Sequence, residues 1–115
     1  MQYMLLIYGD ERAFESIPRE QMTEIINAHM AYGQSLRDAG AWVASNRLRP
    51  TSAATSVHIA NGKTQVLDGP FAETKEQLAG YYLIDVPDLD AALSWASRCP
   101  GARYGTVEVR PIWMM

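Results

Sequence analysis

The stretch VLDGPFAETKEQLAGYYLID, residues 66–85, contains the end of one predicted strand, a turn and nearly all of a second strand. The first strand ends at Asp68, because Gly69 and Pro70 follow and proline lacks the backbone donor that a strand uses. AGYYLIDV, residues 79–86, is apolar at most positions, which is typical of a strand covered on both faces. We therefore predict a central strand of the main sheet here, reached through a sharp turn.

The residues on either side of this turn predict a β-hairpin and a short helical turn. Asn61-Gly62 separates two alternating runs, SVHIA at 56–60 and KTQVLD at 63–68. Asn-Gly is the strongest short hairpin signal, because both central residues of a type I′ turn need a positive φ angle. Beyond the turn, Thr74 and Gln77 match a capping box, which predicts one turn of helix.

Two longer segments have helical spacing. The first lies within residues 17–40, with Pro18 in the first turn of the helix and Gly40 just past its end. The second covers residues 89–99 and is capped by Asp88. Their apolar stripes contain Met22, Ile25, Ile26, Met30 and Leu36 in the first helix and Leu89, Ala92, Leu93 and Ala96 in the second.

The predicted order of elements is strand, helix, strand, hairpin, strand, helix, strand, and the 115 residues fit a single domain, 1–115. Helices segregated on a mostly antiparallel sheet define an α+β fold, and this order predicts a ferredoxin-like sandwich with an inserted β-hairpin. Two helices cover only one face of such a sheet, whereas the first strand, QYMLLIY at 2–8, is apolar on both faces. We therefore predict a homodimer in which two sheets pack face to face.

Composition excludes several classes of function. The formal net charge is −3 and no basic run occurs, which argues against a nucleic-acid surface. The single cysteine, Cys99, cannot form an internal disulfide, so a reducing cytoplasm suits the chain. No apolar run is long enough to span a membrane. Zinc-ligand spacing, a phosphate loop and a nucleophile elbow are all missing, so no metal or cofactor is expected.

His29 is the first candidate for chemistry. It lies on the apolar stripe of the first predicted helix, between Ile25 and Gly33. A lone inward histidine is most often a hydrogen-bonded core residue. Imidazole also changes protonation near neutral pH, and this face looks towards the sheet, where a cavity would let it act as an acid or base.

Asp68 is the second candidate, at the end of the hairpin. An Asp before Gly is ordinary turn chemistry, in which the carboxylate accepts nearby backbone N–H groups. If Val66 points into the core, however, Asp68 shares its face and reaches the rim of a pocket, where it would orient His29. Phe71 is expected to fill an apolar hole, and the hydroxyls of Tyr8 and Tyr32 are expected to line a cavity.

Three stretches resemble the YCII-related proteins of the DGPF subgroup: MQYMLLIYGDE (1–11), DGPFAETKEQLAGYYLIDVPDLDAALSWASRCPGA (68–102) and GTVEVRPI (105–112). The resemblance covers essentially the whole chain. It implies a dimeric α/β barrel of the ferredoxin-like type and a bacterial, cytoplasmic protein. In the wider group a histidine and an aspartate are a proposed active-site dyad, which maps to His29 and to Asp68, with Asp38 as the competing acid.

Two classes of function follow. The first is a cofactor-free enzyme that uses a His29–Asp68 acid–base pair for proton transfer, elimination or isomerisation on a small molecule; some relatives on this fold dehalogenate or isomerise oxygenated aromatic rings. Tyr8, Tyr32 and Phe71 would contact the ligand. The second is a non-enzymatic ligand-binding or regulatory module, which fits the frequent proximity of DGPF genes to genes for extracytoplasmic-function sigma factors.

Overall fold

A computed structural model describes residues 1–114, which contain a four-stranded antiparallel sheet and a separate two-stranded hairpin. Helices and strands together confirm the α+β class. The strand order in the main sheet is β2-β5-β1-β6, and β3 pairs with β4. The elements are β1 (Gln2–Gly9), α1 (Glu11–Glu15), α2 (Arg19–Asp38), β2 (Trp42–Arg47), a 3-10 turn (Thr51–Ala53), β3 (Thr55–Ala60), β4 (Lys63–Asp68), β5 (Gln77–Asp85), α3 (Leu89–Arg98), α4 (Gly101–Tyr104) and β6 (Gly105–Pro111).

The core lies between the helices and one face of the main sheet. Every second side chain of β1 is buried, because successive side chains of a strand point to opposite faces. Leu5 of β1, Leu36 of α2 and Ile84 of β5 are fully buried in one cluster. Cys99 is also buried there, as a free thiol, and burial raises its pKa, as is typical of an unreactive structural cysteine.

The opposite face of the sheet has no helix on it in the part of the chain that the structure describes. Met4 and Leu6 of β1 and Leu83 of β5 lie on this face and are only half-buried. These three residues alternate with the core residues of the same strands, so the central strands carry apolar side chains on both faces, as predicted. We call this surface the open sheet face.

The hairpin formed by β3 and β4 follows the prediction from Asn61-Gly62. These two residues have φ angles of 53° and 75°, as a type I′ turn requires. Val57 faces Val66 across the hairpin, but their side chains remain 65% and 61% exposed. The hairpin therefore extends away from the core, and the premise that Val66 points into the core is wrong.

Two further expectations about the 68–77 segment are corrected. Phe71 does not fill an apolar hole, because its side chain is 93% exposed in the loop that follows the hairpin. Thr74 does not begin a helical turn: Gln77 is the first residue of β5, its amide donates to the Thr74 carbonyl, and its side-chain oxygen accepts from the Glu11 backbone. The hydrogen bond to Glu11 at the start of α1 uses the Gln77 side chain that the local capping box would need.

Asp88 caps α3 as predicted, accepting a hydrogen bond of 2.9 Å from the Ala91 backbone N–H. None of the helices in residues 1–114 is both long enough and apolar enough to span a lipid bilayer.

Truncation of a core side chain on α2 should destabilise the protein much more than truncation of an exposed one. Leu36 is fully buried and Met30, on the same helix, is 68% exposed. Leu36→Ala should lower the free energy of unfolding by about 2–5 kcal/mol, and Met30→Ala by less than about 0.5 kcal/mol. Urea denaturation followed by circular dichroism measures both values, and equal losses would contradict this placement of the core.

Candidate functional site

A cavity of about 810 Å³ lies between α2 and the main sheet. Its walls come from α1, α2, α4, the ends of β1 and β2 and the middle of β5. Much of its lining is apolar, whereas histidine, tyrosine and arginine side chains reach it from α2, β2 and β5. This combination of an apolar body and a few polar groups is typical of small-molecule sites. The apolar members are Ile7, Phe14, Met22, Ile25, Ile26, Met30 and Leu48.

Two glycines contribute to the shape of this cavity. Gly80 of β5 lets β2 approach closely, because a Cβ at this position would lie 2.8 Å from the Asn46 carbonyl oxygen. A glycine within a helix such as Gly33 of α2 costs about 1 kcal/mol relative to alanine, which predicts a closely packed neighbour. The nearest group is the Arg37 guanidinium, 3.7 Å from an added Cβ, which is an ordinary contact. Both glycines line the cavity, but only Gly33 leaves space where a side chain would stand, because the β2 backbone occupies that place at Gly80.

His29 lines the cavity from α2 and is held by Tyr82 of β5. Its Nδ1 lies 2.9 Å from the Tyr82 hydroxyl oxygen, and the two rings are stacked at 6.1 Å with an angle of 11° between their planes. The Tyr82 hydroxyl also lies 3.4 Å from the His29 carbonyl oxygen, to which it donates. His29 is thus a half-buried, oriented side chain with one ring nitrogen engaged.

Tyr82 is in turn supported by the Tyr32 ring, which packs against Trp95. The Tyr32 ring packs edge-on against Tyr82 at 5.0 Å and against Trp95 at 5.9 Å. The Tyr32 hydroxyl donates a hydrogen bond of 2.6 Å to the Trp95 carbonyl. Tyr32 was predicted to line the cavity, but it stands behind Tyr82 and borders a smaller cavity on the other side of α2. Its structural role is to support the His29–Tyr82 pair.

The environment keeps both members of this pair neutral near pH 7. Burial lowers the pKa of His29 below its usual value of 6.5, and the positive charge of Arg47 lowers it further. Burial raises the pKa of Tyr82 to about 12, and the neighbouring Cys99 adds to this effect. The phenol therefore remains a hydrogen-bond donor, while the imidazole has one unprotonated nitrogen available.

The partner of Nδ1 decides which nitrogen of His29 is basic. When Tyr82 donates to the His29 carbonyl, Nδ1–H donates to the phenol oxygen and Nε2 carries the free lone pair. When the phenol donates to Nδ1, Nε2 carries the proton instead. The pair thus positions Nε2 either to accept or to donate a proton, which are the two states that a general base passes through.

Three arginines and two glutamates also line the cavity. The guanidinium of Arg37 lies 4.4 Å from the centre of the Trp42 ring, in a cation–π contact. Glu11 is committed elsewhere, because its two carboxylate oxygens accept hydrogen bonds of 2.7 Å from the backbone and hydroxyl of Thr51. The remaining members of the set are Arg47, Arg49 and Glu15.

The structure does not bring Asp68 to His29 within the described chain. Asp68 ends β4 opposite Thr55, is exposed and is not part of the cavity lining, whereas His29 is. The reason is the outward course of the hairpin, which carries Asp68 away from the core. Asp38, the competing acid, is also exposed and accepts a hydrogen bond from Gln34 on the same helix.

The other predicted contacts divide between the cavity and the surface. Tyr8 is among the residues that line the cavity, whereas Phe71 lies outside it. A contact between the Tyr8 hydroxyl and a ligand stays a prediction. Sequence reasoning did not single out Tyr82 or Arg47. The two-residue period of a strand was the available signal, because it places Tyr82 on the same face as Ile84 and Arg47 on the same face as Ser45. Within residues 1–114, no group of three or more His, Cys, Asp or Glu residues is arranged to hold a metal ion.

The pKa of His29 should respond to the charge of Arg47. In the folded protein His29 should titrate below 6.5, the value expected for an unfolded chain. Arg47→Gln should raise this pKa while leaving it below 6.5, because burial remains the larger cause. NMR titration of the imidazole signals measures the shift. Arg12→Gln, on the exposed part of α1, is the control and should leave the pKa unchanged; equal responses would rule out a local effect of Arg47.

The chain matches known sequences over its full length. The model of the YCII-related domain matches residues 1–115. An uncharacterized protein of Rhizobium meliloti (strain 1021) is 40% identical over 114 residues, which cover 97% of this chain and 92% of the relative. These findings confirm the family predicted from the sequence, while the DGPF subgroup stays a prediction. The chain belongs to the YCII-related family.

Proposed function

We propose that this protein is a cofactor-free enzyme that moves a proton on a small molecule bound in the cavity between α2 and the sheet. The observation that carries the proposal is a neutral, oriented imidazole in the wall of an apolar cavity. Nε2 of His29 accepts the proton, and Tyr82 holds the ring through Nδ1. In contrast to the predicted dyad, the orienting group is a phenol rather than the carboxylate of Asp68.

The position of Arg47 suits this chemistry. Removing a proton from a C–H or O–H group of the substrate leaves a negative charge on the substrate, and a nearby guanidinium stabilises that charge. The proton then sits on an imidazolium whose pKa is depressed, so it is a good donor. Return of the proton to a different atom is an isomerisation, whereas departure of an anionic leaving group with the electron pair is an elimination.

We further propose that the single-chain sheet is a ferredoxin-like arrangement, completed as a dimeric α/β barrel by a second copy of the chain. The strand order β2-β5-β1-β6, with α2 after β1 and α3 after β5, supports the topology. The shape supports the dimer. A compact monomer of this mass would have a radius of gyration near 13 Å, whereas the observed value is 16.1 Å.

The exposed area supports the same conclusion. A globular monomer of 12.8 kDa exposes about 6,300 Å², and this chain exposes 8,399 Å². The excess is larger than the roughly 800 Å² that each partner contributes to a standard interface. The open sheet face and the hairpin are the two surfaces on which a second copy would bury it.

Introducing a charge on the open sheet face should dissociate the dimer. We expect the wild-type protein to sediment as a dimer at micromolar concentration and Leu6→Asp to sediment as a monomer, because a carboxylate in the interface is costly to desolvate. Leu89→Asp, on the exposed side of α3 and 48% exposed before substitution, is the control and should remain dimeric. A circular dichroism melt confirms that each variant is folded. A wild-type monomer would exclude the proposed dimer.

Hydrogen–deuterium exchange into a bound metabolite tests the proposed base without knowledge of the product. We expect a thermal-shift screen of small cyclic and carbonyl compounds to yield ligands, and expect one of them to exchange an acidic C–H in D₂O when the protein is added. His29→Ala should abolish this exchange, and Tyr82→Phe should slow it by about 10- to 100-fold, since an unoriented base loses much of its contribution.

The matched control is His58→Ala, because His58 lies on the exposed hairpin and outside the cavity. This variant should catalyse hydrogen–deuterium exchange into the ligand at the wild-type rate. Exchange that survives His29→Ala, or that His58→Ala reduces equally, would show that His29 is not the base.

A further inference from the structure

We propose that the ligand of this cavity is an amphipathic anion, such as an aromatic or alicyclic carboxylate, and that Arg47 binds its negative group. This inference rests on the proposed ligand-binding role of the cavity and adds the chemical class of the ligand. It does not depend on His29 being a base.

The register of the sheet places Arg47 beside the His29–Tyr82 pair. Ser45 and Arg47 of β2 face Tyr82 and Gly80 of β5, so Arg47 shares the helix-facing side of the sheet with Tyr82. Gly80 has no side chain to stand opposite Arg47 across the strands. Arg47 and His29 both line the cavity, and the positive charge of Arg47 lowers the pKa of His29 in addition to the larger effect of burial.

The arginines of the cavity lack carboxylate partners. In residues 1–114 the one ion pair joins the N-terminal amine to Asp85, at the far end of β5, so Arg37, Arg47 and Arg49 make none there. Glu11, the half-buried acid of the wall, is already saturated by Thr51. Unpaired guanidinium groups beside apolar surface favour a bound anion, since a planar fork of donors matches carboxylate geometry.

Arg37 adds a second, pre-positioned cation. Its guanidinium is held over the Trp42 ring and packs at Gly33, so little side-chain freedom is lost when an anion binds. The excess of arginine is local, because the whole chain has a net charge of −3. A positive site on an otherwise acidic protein attracts small anions selectively to this cavity.

The apolar lining defines the rest of the ligand. Phe14, Met22, Ile26 and Tyr104 face a space of about 810 Å³, which suits one or two rings rather than a fully hydrated ion. The sequence has no glycine-rich phosphate loop, which argues against a nucleotide polyphosphate. A ring system with one or two carboxylates satisfies both the arginines and the apolar surface.

A matched pair of fluorescent probes tests this inference. 1-Anilinonaphthalene-8-sulfonate and N-phenyl-1-naphthylamine share the same ring system, and only the first is an anion. We expect the wild-type protein to bind the sulfonate more tightly than the neutral amine. Arg47→Gln should raise the Kd of the sulfonate by about five- to tenfold, which lies between the effects typical of an exposed ion pair and of a charge-assisted hydrogen bond. The same substitution should change the Kd of the neutral probe by less than about twofold.

Two control variants separate charge from structure. Arg47→Lys keeps the charge and should retain most of the preference for the anion, and Arg12→Gln removes an exposed arginine outside the cavity and should change neither probe. Raising the salt concentration should reduce the difference in affinity between the sulfonate and the neutral amine in the wild-type protein. A circular dichroism melt confirms that each variant is folded.

The outcomes distinguish this inference from the proposed function. Equal binding of the two probes would overturn anion recognition at the cavity. Sulfonate binding that Arg47→Gln leaves unchanged would also overturn it, and would indicate that the probe binds the open sheet face or the hairpin instead. His29→Ala should preserve the anion preference. If His29→Ala keeps the preference for the anion and also still catalyses hydrogen–deuterium exchange into ligands, His29 is not the base, but the anion site remains supported.

Discussion

The hydrogen bond between Tyr82 and His29 joins the centre of the sheet to the longest helix, and the geometry of the cavity depends on it. Tyr82 extends from β5 towards α2 and is only 7% exposed, so its hydroxyl needs a partner inside the protein. His29 Nδ1 is that partner, at 2.9 Å. The contact holds α2 against the sheet at this point, and the cavity lies beside it.

The electrostatics of the cavity follow from the same arrangement. A histidine that is half-buried beside an arginine is neutral at pH 7, since both burial and a like charge disfavour the imidazolium. A carboxylate dyad would have the opposite effect on the imidazole, because a nearby anion stabilises the cation. The site therefore combines a neutral imidazole with nearby positive charge, which supports the proposed removal of a proton from a substrate that is, or becomes, an anion.

A single copy of the chain does not account for the stability of the hairpin or for the apolar side chains of the open sheet face. An isolated two-stranded hairpin is marginally stable in water, and this one exposes most of Val57, Ile59 and Val66. Its base is tied by a hydrogen bond of 2.7 Å from the Gly69 backbone to the Ala54 carbonyl, and by one of 2.8 Å from Ser56 to the Gly69 carbonyl. Gly69 and Ser56 thus hold the direction of the hairpin, and burial against the proposed second copy would stabilise it further.

The sequence by itself determined the elements whose signals are local. Asn61-Gly62 specified the hairpin, Asp88 capped α3, and the apolar stripe of α2 placed His29 towards the sheet, because turn chemistry and helical periodicity act over a few residues. Only the tertiary structure decided that Asp68 lies away from His29 and that Tyr82 and Arg47 lie beside it. Those distances depend on the direction of a hairpin and on the register between strands far apart in sequence, and neither is encoded in the spacing of nearby residues.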